Sequence, residues 1–285
     1  MAGGIGSRFG GLKQLTPIDE NGNYIIDYSI FDAIRSGFDK IVFIISKENF
    51  EIFNNTIGER VSKKVKVSYV FQSNDGLGLS RTKPLGTGYA VLLTKNEVSD
   101  KFAVINADDF YGYESFNALA KSLNNLKDDE FCTTVFKIKN TLSNFGNVTR
   151  GLATVENNTL IKITESEITS NNGEIFARDL LKTENVKIDE NSLVSMNMFG
   201  FNKKLFEFLQ NDFDEFIKDK DRAESKEFYL PTSVTNAINN NLIKVITNKT
   251  DEKWLGLTYK QDLENVKLQI RLMKKQGIYP ENLWK

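Results

Sequence analysis

Short apolar, β-branched runs recur at 41–45 (IVFII), 65–71 (VKVSYVF), 102–107 (FAVINA) and 131–138 (FCTTVFKI). Between and before them, 26–36, 47–62, 88–96 and 115–126 carry helical periodicity. Strands that are apolar at nearly every position are buried on both faces, and such strands pair in parallel through helical crossovers. The alternation therefore predicts an α/β sheet, mostly parallel, with helices on both faces. Beyond about residue 140 the rhythm changes. Strands at 152–156, 160–165 and 193–201 are separated by polar turns, with helices at 203–217 and 230–239. This half predicts a mixed, partly antiparallel extension packed on the first. Leu263, Val266, Ile270 and Met273, within 259–276, have the spacing of a packed closing helix. The Asn-rich turn at 239–241 reads as solvated surface, and there is no internal repeat or long linker.

Composition narrows the chemistry. There is no histidine among the 285 residues, which removes Ser/His/Asp triads, Cys/His pairs and His-ligated zinc or iron. A metal must then sit on oxygen ligands, which favours Mg²⁺ or Mn²⁺. The 37 basic residues balance 38 acidic ones, so no broad positive field exists to bind nucleic acid or an anionic membrane. No apolar run approaches the roughly 20 residues needed to cross a bilayer. A lone Cys132 excludes an internal disulfide and fits the cytoplasm.

Three weak constellations carry the chemistry. MAGGIGSRFGGLK at 1–13 is glycine-dense and holds Arg8 and Lys13, a combination that lets backbone N–H groups and two cations grip phosphate. It is neither a dinucleotide fingerprint, which needs glycine where Phe9 stands, nor a Walker loop, which needs Gly-Lys-Ser/Thr. The bland reading is a loose chain start. Asn106-Ala107-Asp108-Asp109 follows the strand 102–107, where a carboxylate faces the ligand crevice of an open sheet or merely caps a turn. Gln72 ends another strand, and Lys83-Pro84-Leu85-Gly86-Thr87-Gly88 follows; an amide and a glycine turn can match a nucleobase edge.

The ordered series AGGIGSRFGGLKQL, VFQ, GTGYA, NADDFYG, NFGNV, KITES, MNMFGF and EFYLPT resembles the sugar-phosphate nucleotidyltransferases, also called nucleoside-diphosphate-sugar pyrophosphorylases, over nearly the whole chain. The opening loop is also similar to those of cytidylyltransferases and molybdenum-cofactor transferases, and the later motifs favour the sugar-phosphate branch. The resemblance implies a Rossmann-like, doubly wound mixed α/β sheet, the nucleotide-diphospho-sugar transferase fold, lacking most of its first strand. It implies a single domain, with a nucleotide-binding half at 1–140, a sugar-binding half at 141–258 and a closing helix and tail at 259–285. By position, Gly3, Gly4 and Gly6 would wrap the nucleotide, Arg8 and Lys13 would hold its triphosphate, and Gln72, Gly86 and Thr87 would read the base. Asp108 would bind the catalytic Mg²⁺ (or Mn²⁺). Gly146, Glu165 and Asn197 would line the sugar pocket, with Glu227 and Tyr229 beside it. The plain alternatives are a turn for Gly146, a solvated strand end for Glu165 and core packing for Tyr229.

Two positions depart from the pattern. Ser166 stands where relatives often carry a lysine for the sugar phosphate, leaving Lys253 or Lys83 as the cation. Gly256 follows Trp254-Leu255 where many relatives place a second metal-binding Asp, leaving Asp251, another oxygen ligand or a single carboxylate. The implied partners are a nucleoside triphosphate, with UTP suggested by the Gly86-Thr87-Gly88 turn, and a sugar 1-phosphate. The alternatives are a cytidylyltransferase acting on a non-sugar phosphate and a sugar-nucleotide-binding protein without turnover. A glycine loop normally hangs from a buried central strand, so Met1 is expected to be an internal residue of such a strand, whose loss would leave a trough in the core.

Overall fold

The computed structural model describes residues 1–2, 15–98, 100–171 and 173–285. Helix α1 (Ile25–Arg35) buries Ile25, Ile26, Ile30 and Ala33 at helical spacing, and the Asp27 carboxylate accepts the Tyr24 amide at its first turn. It leads into β1 (Lys40–Ile45), which pairs in parallel with β2 (Lys66–Phe71). The helix expected at 47–62 exists in pieces. A 3₁₀ turn, α2 (Phe50–Phe53), a π turn (Asn54–Gly58) and α3 (Glu59–Ser62) follow one another. The Tyr69 hydroxyl presses on this segment: it donates to Asn54 Oδ1 at 2.7 Å, and a Cβ at Gly58 would meet it at 1.9 Å. A side chain inserted against the ladder is an ordinary cause of a π turn.

The remaining elements are α4 (Thr87–Leu92), β3 (Phe102–Val104), β4 (Asp109–Phe110), α5 (Tyr113–Asn125), β5 (Glu130–Lys137), β6 (Val148–Glu156), β7 (Thr159–Asn171), β8 (Glu174–Asp179), β9 (Val186–Ile188), β10 (Leu193–Phe201), α6 (Leu205–Lys218), α7 (Lys220–Ser225), α8 (Leu230–Asn239), β11 (Lys244–Thr250), β12 (Leu255–Gly256) and α9 (Asp262–Lys275). The main sheet runs β11-β5-β10-β6-β7-β8-β9, and β3 also pairs with β10. Only β1–β2 and β5–β11 are parallel among the described pairs, so the first half is more antiparallel than its alternation predicts. The reason is β10, which returns from the second half and inserts between β5 and β3.

Side chains on β10 point alternately to two helix layers. Met198 packs with Phe116, Leu119 and Leu123 of α5, whereas Phe199 and Phe201 pack with residues of α4, α6 and α8. β10 is also where the sheet forks. Val194 and Ser195 pair with β6, Phe199 to Phe201 pair with β3, and the register on β5 shifts between Ser195 and Phe199. Asn197 sits in that bulge at φ 58, a left-handed conformation that asparagine adopts more readily than other non-glycine residues.

Met1 and Ala2 lie between β1 and the end of β3. The Ala2 amide donates to Ile44 O at 2.7 Å, the Met1 ammonium donates to Ile105 O at 2.8 Å, and the Ala107 amide donates to Met1 O at 3.0 Å. Burial pushes that ammonium down to about 6, against the pull of Asp108 and Asp109. At the other end of the chain, α9 closes the core as its spacing predicts, burying Val266 and Ile270 against Ile18, Ile25 and Tyr28. Among the described residues no helix is long and apolar enough to cross a membrane.

Candidate active site

The chain leaves β3, turns through Asn106 and Ala107, and delivers two adjacent carboxylates with different surroundings. Asp109 is buried and accepts Asn106 Nδ2 at 2.9 Å and the Tyr111 hydroxyl at 3.2 Å. Burial, and next the charge of Asp108, push its pKa up to about 7, while Arg150 opposes the shift. Asp108 is half-buried, and its carboxylate has no hydrogen-bond or ion-pair partner among the described residues.

β12 brings the second departure to the same place, because Gly256 pairs with Asp109. A Cβ at Gly256 would lie 2.1 Å from the Trp254 ring, so the indole fills the space that an acidic side chain would need. Asp251 does not take over: its carboxylate is 2.5 Å from Lys137 Nζ, and that contact holds its pKa below the usual range. Lys253 is exposed on the same segment. Among the described residues no three His, Cys, Asp or Glu side chains cluster as a ready-made metal site. A single free carboxylate still suits Mg²⁺, which keeps several waters and takes phosphate oxygens as ligands.

The Trp254 indole has a further role that sequence reasoning missed. Arg150 lies buried over its ring, 4.5 Å from the centroid, and donates through Nη1 to Thr149 O at 2.9 Å and through Nη2 to Thr141 O at 2.5 Å. Its Nε has no partner among the described residues. Burial lowers the guanidinium to about 10, while Asp109, Asp262 and Glu165 act to raise it. Arg150 thus sets a positive charge between the carboxylate pair and the sugar-side strand.

The base-reading candidates are held by different parts of the chain. The Gln72 amide extends the strand ladder by donating to Ile45 O at 2.9 Å, which fixes its place at the end of β2. Gly86 has φ 105, and a Cβ there would lie 2.7 Å from Phe228 O. Phe228 donates to Leu85 O at 2.6 Å and accepts from the Gly88 amide at 2.8 Å, while its ring packs on Phe213 and Phe216. Thr87 Oγ1 accepts the Leu230 amide at 3.0 Å, at the first turn of α8. The glycine turn and the 227–230 segment are therefore one structural unit. Arg81 ties the loop before it, donating to the carbonyls of Lys83, Pro84, Ala223 and Lys226.

On the sugar side, β6 and β7 place Glu165 opposite Gly151. A Cβ at Gly151 would stand 3.4 Å from Glu165 Oε1 and 2.7 Å from Ile163 Cγ2, so this glycine keeps the surface beside Glu165 open. Gly146 has φ 151 in a short bridge with Ser143, with the Tyr259 hydroxyl against it. The Glu165 side chain reaches solvent, yet the walls around it push its carboxyl pKa up against the pull of Arg150. Burial, then Glu227, then Glu165 raise the Tyr229 phenol, which places all three within electrostatic reach. Ser166 points to the opposite face, buried, with its hydroxyl donating to Thr164 O at 3.0 Å. Lys83 is exposed. Gly3, Gly4, Gly6, Arg8 and Lys13 lie outside the described residues.

Residues 1–255 match the sequence model of a family described as Nucleotidyl transferase. The bifunctional protein GlmU of Methanococcus maripaludis (strain C5) is 28% identical over 174 residues, covering 60% of this chain and 36% of that protein. The chain thus spans little more than a third of that relative's length. A structure described as a glucose-1-phosphate thymidylyltransferase from Bacillus anthracis, in complex with sucrose, superposes with a TM-score of 0.67 at 16% identity, covering 95% of this chain and 93% of that one. UDP-glucose pyrophosphorylase complexed with UDP-glucose superposes with a TM-score of 0.58 at 15% identity, covering 95% and 96%. At these identities the likeness to the two structures is one of fold.

Proposed function

Because the chain belongs to the nucleotidyl transferase family, we propose that it transfers a nucleotidyl group from a nucleoside triphosphate, UTP in the first instance, to a sugar 1-phosphate. An oxygen of the sugar phosphate forms a bond to the α-phosphorus, the bond from that phosphorus to the α–β bridging oxygen breaks, and pyrophosphate leaves. The attacking oxygen is already anionic. No general base is needed, in keeping with a chain that has no histidine. Catalysis then rests on alignment and charge neutralisation.

The observation that carries this reading is the contrast between Asp109, whose carboxylate is spent on Asn106 and Tyr111, and Asp108 beside it, which has no such partner among the described residues. Asp108 would hold Mg²⁺, and the metal would supply neutralising charge to the triphosphate. Arg8 and Lys13 hold the triphosphate; Gly3, Gly4 and Gly6 wrap the nucleotide. Gln72, Gly86 and Thr87 take the base, within a nucleotide half at 1–140. Glu165 and Asn197 take the sugar with Glu227 and Lys253, within a sugar half at 141–258. The place of Asn197 in the bulge at the fork, and the open surface at Gly151, support this division. The proposed sheet is doubly wound around the crevice at that fork.

The test is pyrophosphate release over a panel of triphosphates, each with several sugar 1-phosphates. UTP-dependent release with one sugar phosphate is the expected result. A second reading, binding without turnover, is favoured by the Trp254 ring standing where a second acidic ligand would reach. It predicts a ligand-induced rise in Tm with no pyrophosphate released for any pair.

A further inference from the structure

Residues 72–86, which join β2 to α4, contain no helix or strand. A connection of this length needs some other source of order, because fixing each residue costs conformational entropy. Part of it is local: Leu77 and Leu79 pack against the core, and Asn74 Nδ2 donates to Lys83 O at 2.9 Å and to Arg81 O at 3.2 Å. The rest comes from Arg81.

A guanidinium offers its N–H donors in a rigid plane, and Arg81 directs them at four backbone carbonyls on two separate segments. Nε donates to Lys83 O at 3.0 Å and Nη2 to Pro84 O at 2.9 Å, which folds the loop back on itself just before Leu85 and Gly86. Nη1 donates to Ala223 O at 2.7 Å and to Lys226 O. Ala223 lies in the last turn of α7, where carbonyls lack partners within the helix and a cation caps them. One side chain therefore holds the approach to Gly86 and the approach to Glu227 together.

The two segments stay joined on either side of this point. The Ser80 amide donates to Glu224 Oε1 at 2.6 Å, and beyond Arg81 come the bonds of Phe228 to Leu85 and Gly88 and of Leu230 to Thr87. A Cβ at Gly86 would stand 3.0 Å from Glu227 Cβ, so the two backbones touch where the base candidate meets the sugar candidate.

We propose that Arg81 is a positioning residue that clasps the turn at 86–88 to the segment 223–230, so that the base side and the sugar side of the site open and close as one unit. On the reading that Gly86 and Thr87 take the base and Glu227 the sugar, on which this role rests, Arg81 acts through the backbone beneath both. Charge alone does not suffice. Lysine carries its donors on a single nitrogen and cannot bridge carbonyls of two segments in the same fixed geometry.

The test sets the full chain beside Arg81→Lys and Arg81→Ala, with Thr82→Ala, an exposed neighbour, as the control that should match the unaltered chain. In both Arg81 variants hydrogen exchange is expected to quicken about tenfold at the Gly88, Phe228 and Leu230 amides together, while the amides of β5 exchange as before. In pyrophosphate release, KM for the triphosphate and KM for the sugar 1-phosphate should each rise about tenfold, with kcat held within about threefold. A purely structural role lowers the active fraction instead, so that kcat falls and both KM values stay; that result overturns the proposal, as does a rise in one KM alone. So does an Arg81→Lys form that matches the unaltered chain in exchange and in KM, and this form carries the test where Arg81→Ala does not fold. Unchanged exchange at Gly88 and Phe228 overturns the clasp by itself. Absence of pyrophosphate release from the unaltered chain would instead sink the proposed function, and the exchange measurement then decides the clasp alone.

Discussion

Two sets of carboxylates divide the molecule. Around α1 and α9, the side chains of Asp19, Asp27 and Asp32 are buried, and each is saturated by its own protein. Asp19 takes Lys274 Nζ at 2.9 Å, the Tyr28 hydroxyl at 2.6 Å and the Asn23 amide group; Asp27 takes Arg60, Trp284 and Tyr24; Asp32 takes Arg35 and Tyr279. Among the proposed site residues, Asp108 and Glu165 have no side-chain partner in contact among the described residues. The first set ties the chain's two ends together, and the second keeps its acceptors free of side-chain partners among the described residues. Saturation by the protein, more than burial alone, separates the structural carboxylate from the one held ready.

Substitutions can break that division. Asp108→Asn should lower kcat/KM for pyrophosphate release about a thousandfold, about 4 kcal/mol of transition-state stabilisation, while Tm stays within about 2 °C. A loss below tenfold would move Asp108 into the structural set. Lys274→Ala leaves Asp19 buried without its cation and should cost about 3 kcal/mol in urea unfolding, with kcat preserved wherever the variant is folded. The structural set also predicts a pH dependence. Burial raises Asp27 to about 6 and Asp32 to about 7, against their arginine partners. The folded chain then holds protons that the unfolded chain releases, so this contribution is complete below about pH 4 and is lost as pH rises through 7. Urea unfolding across pH 4 to 8 should show the decline, and Asp32→Asn should flatten its upper part. Smallest of all, Glu165→Gln should raise KM for the sugar phosphate about tenfold through one weakened hydrogen bond, leaving Tm unchanged.

The same contrast governs what the sequence could disclose. β1, β2, α1 and α9 follow from apolar spacing, because their burial is written in their own residues. The short strands β8 and β9 carry Glu174, Arg178 and Lys187 and bury little beyond Ile175 and Ala177 of β8, too few apolar positions to announce a strand; they are held by pairing with β7 and with each other. The site shows a sharper case. Asn157 and Asn158, at φ 48 and 60, make the two-residue turn between β6 and β7. Counting back from that turn sets Arg150 opposite Glu165, but a bulge between Thr154 and Val155 moves the pairing to Gly151 and turns Arg150 to the other face. The turn is readable in the sequence. The bulge depends on packing and is not, and neither is the seat over Trp254 that lets a guanidinium be buried.

Thr87 carries a consequence for any test of its proposed place at the base. Its hydroxyl holds the Leu230 amide, so a substitution chosen to alter base preference would also unseat the beginning of a helix and, through Phe228, disturb the backbone that carries Glu227 and Tyr229. Gln72 hangs from a strand end through its backbone alone, with its side chain uncommitted among the described residues. Redesign of nucleotide preference should begin there, where the alphabet can be changed without rewriting the fold.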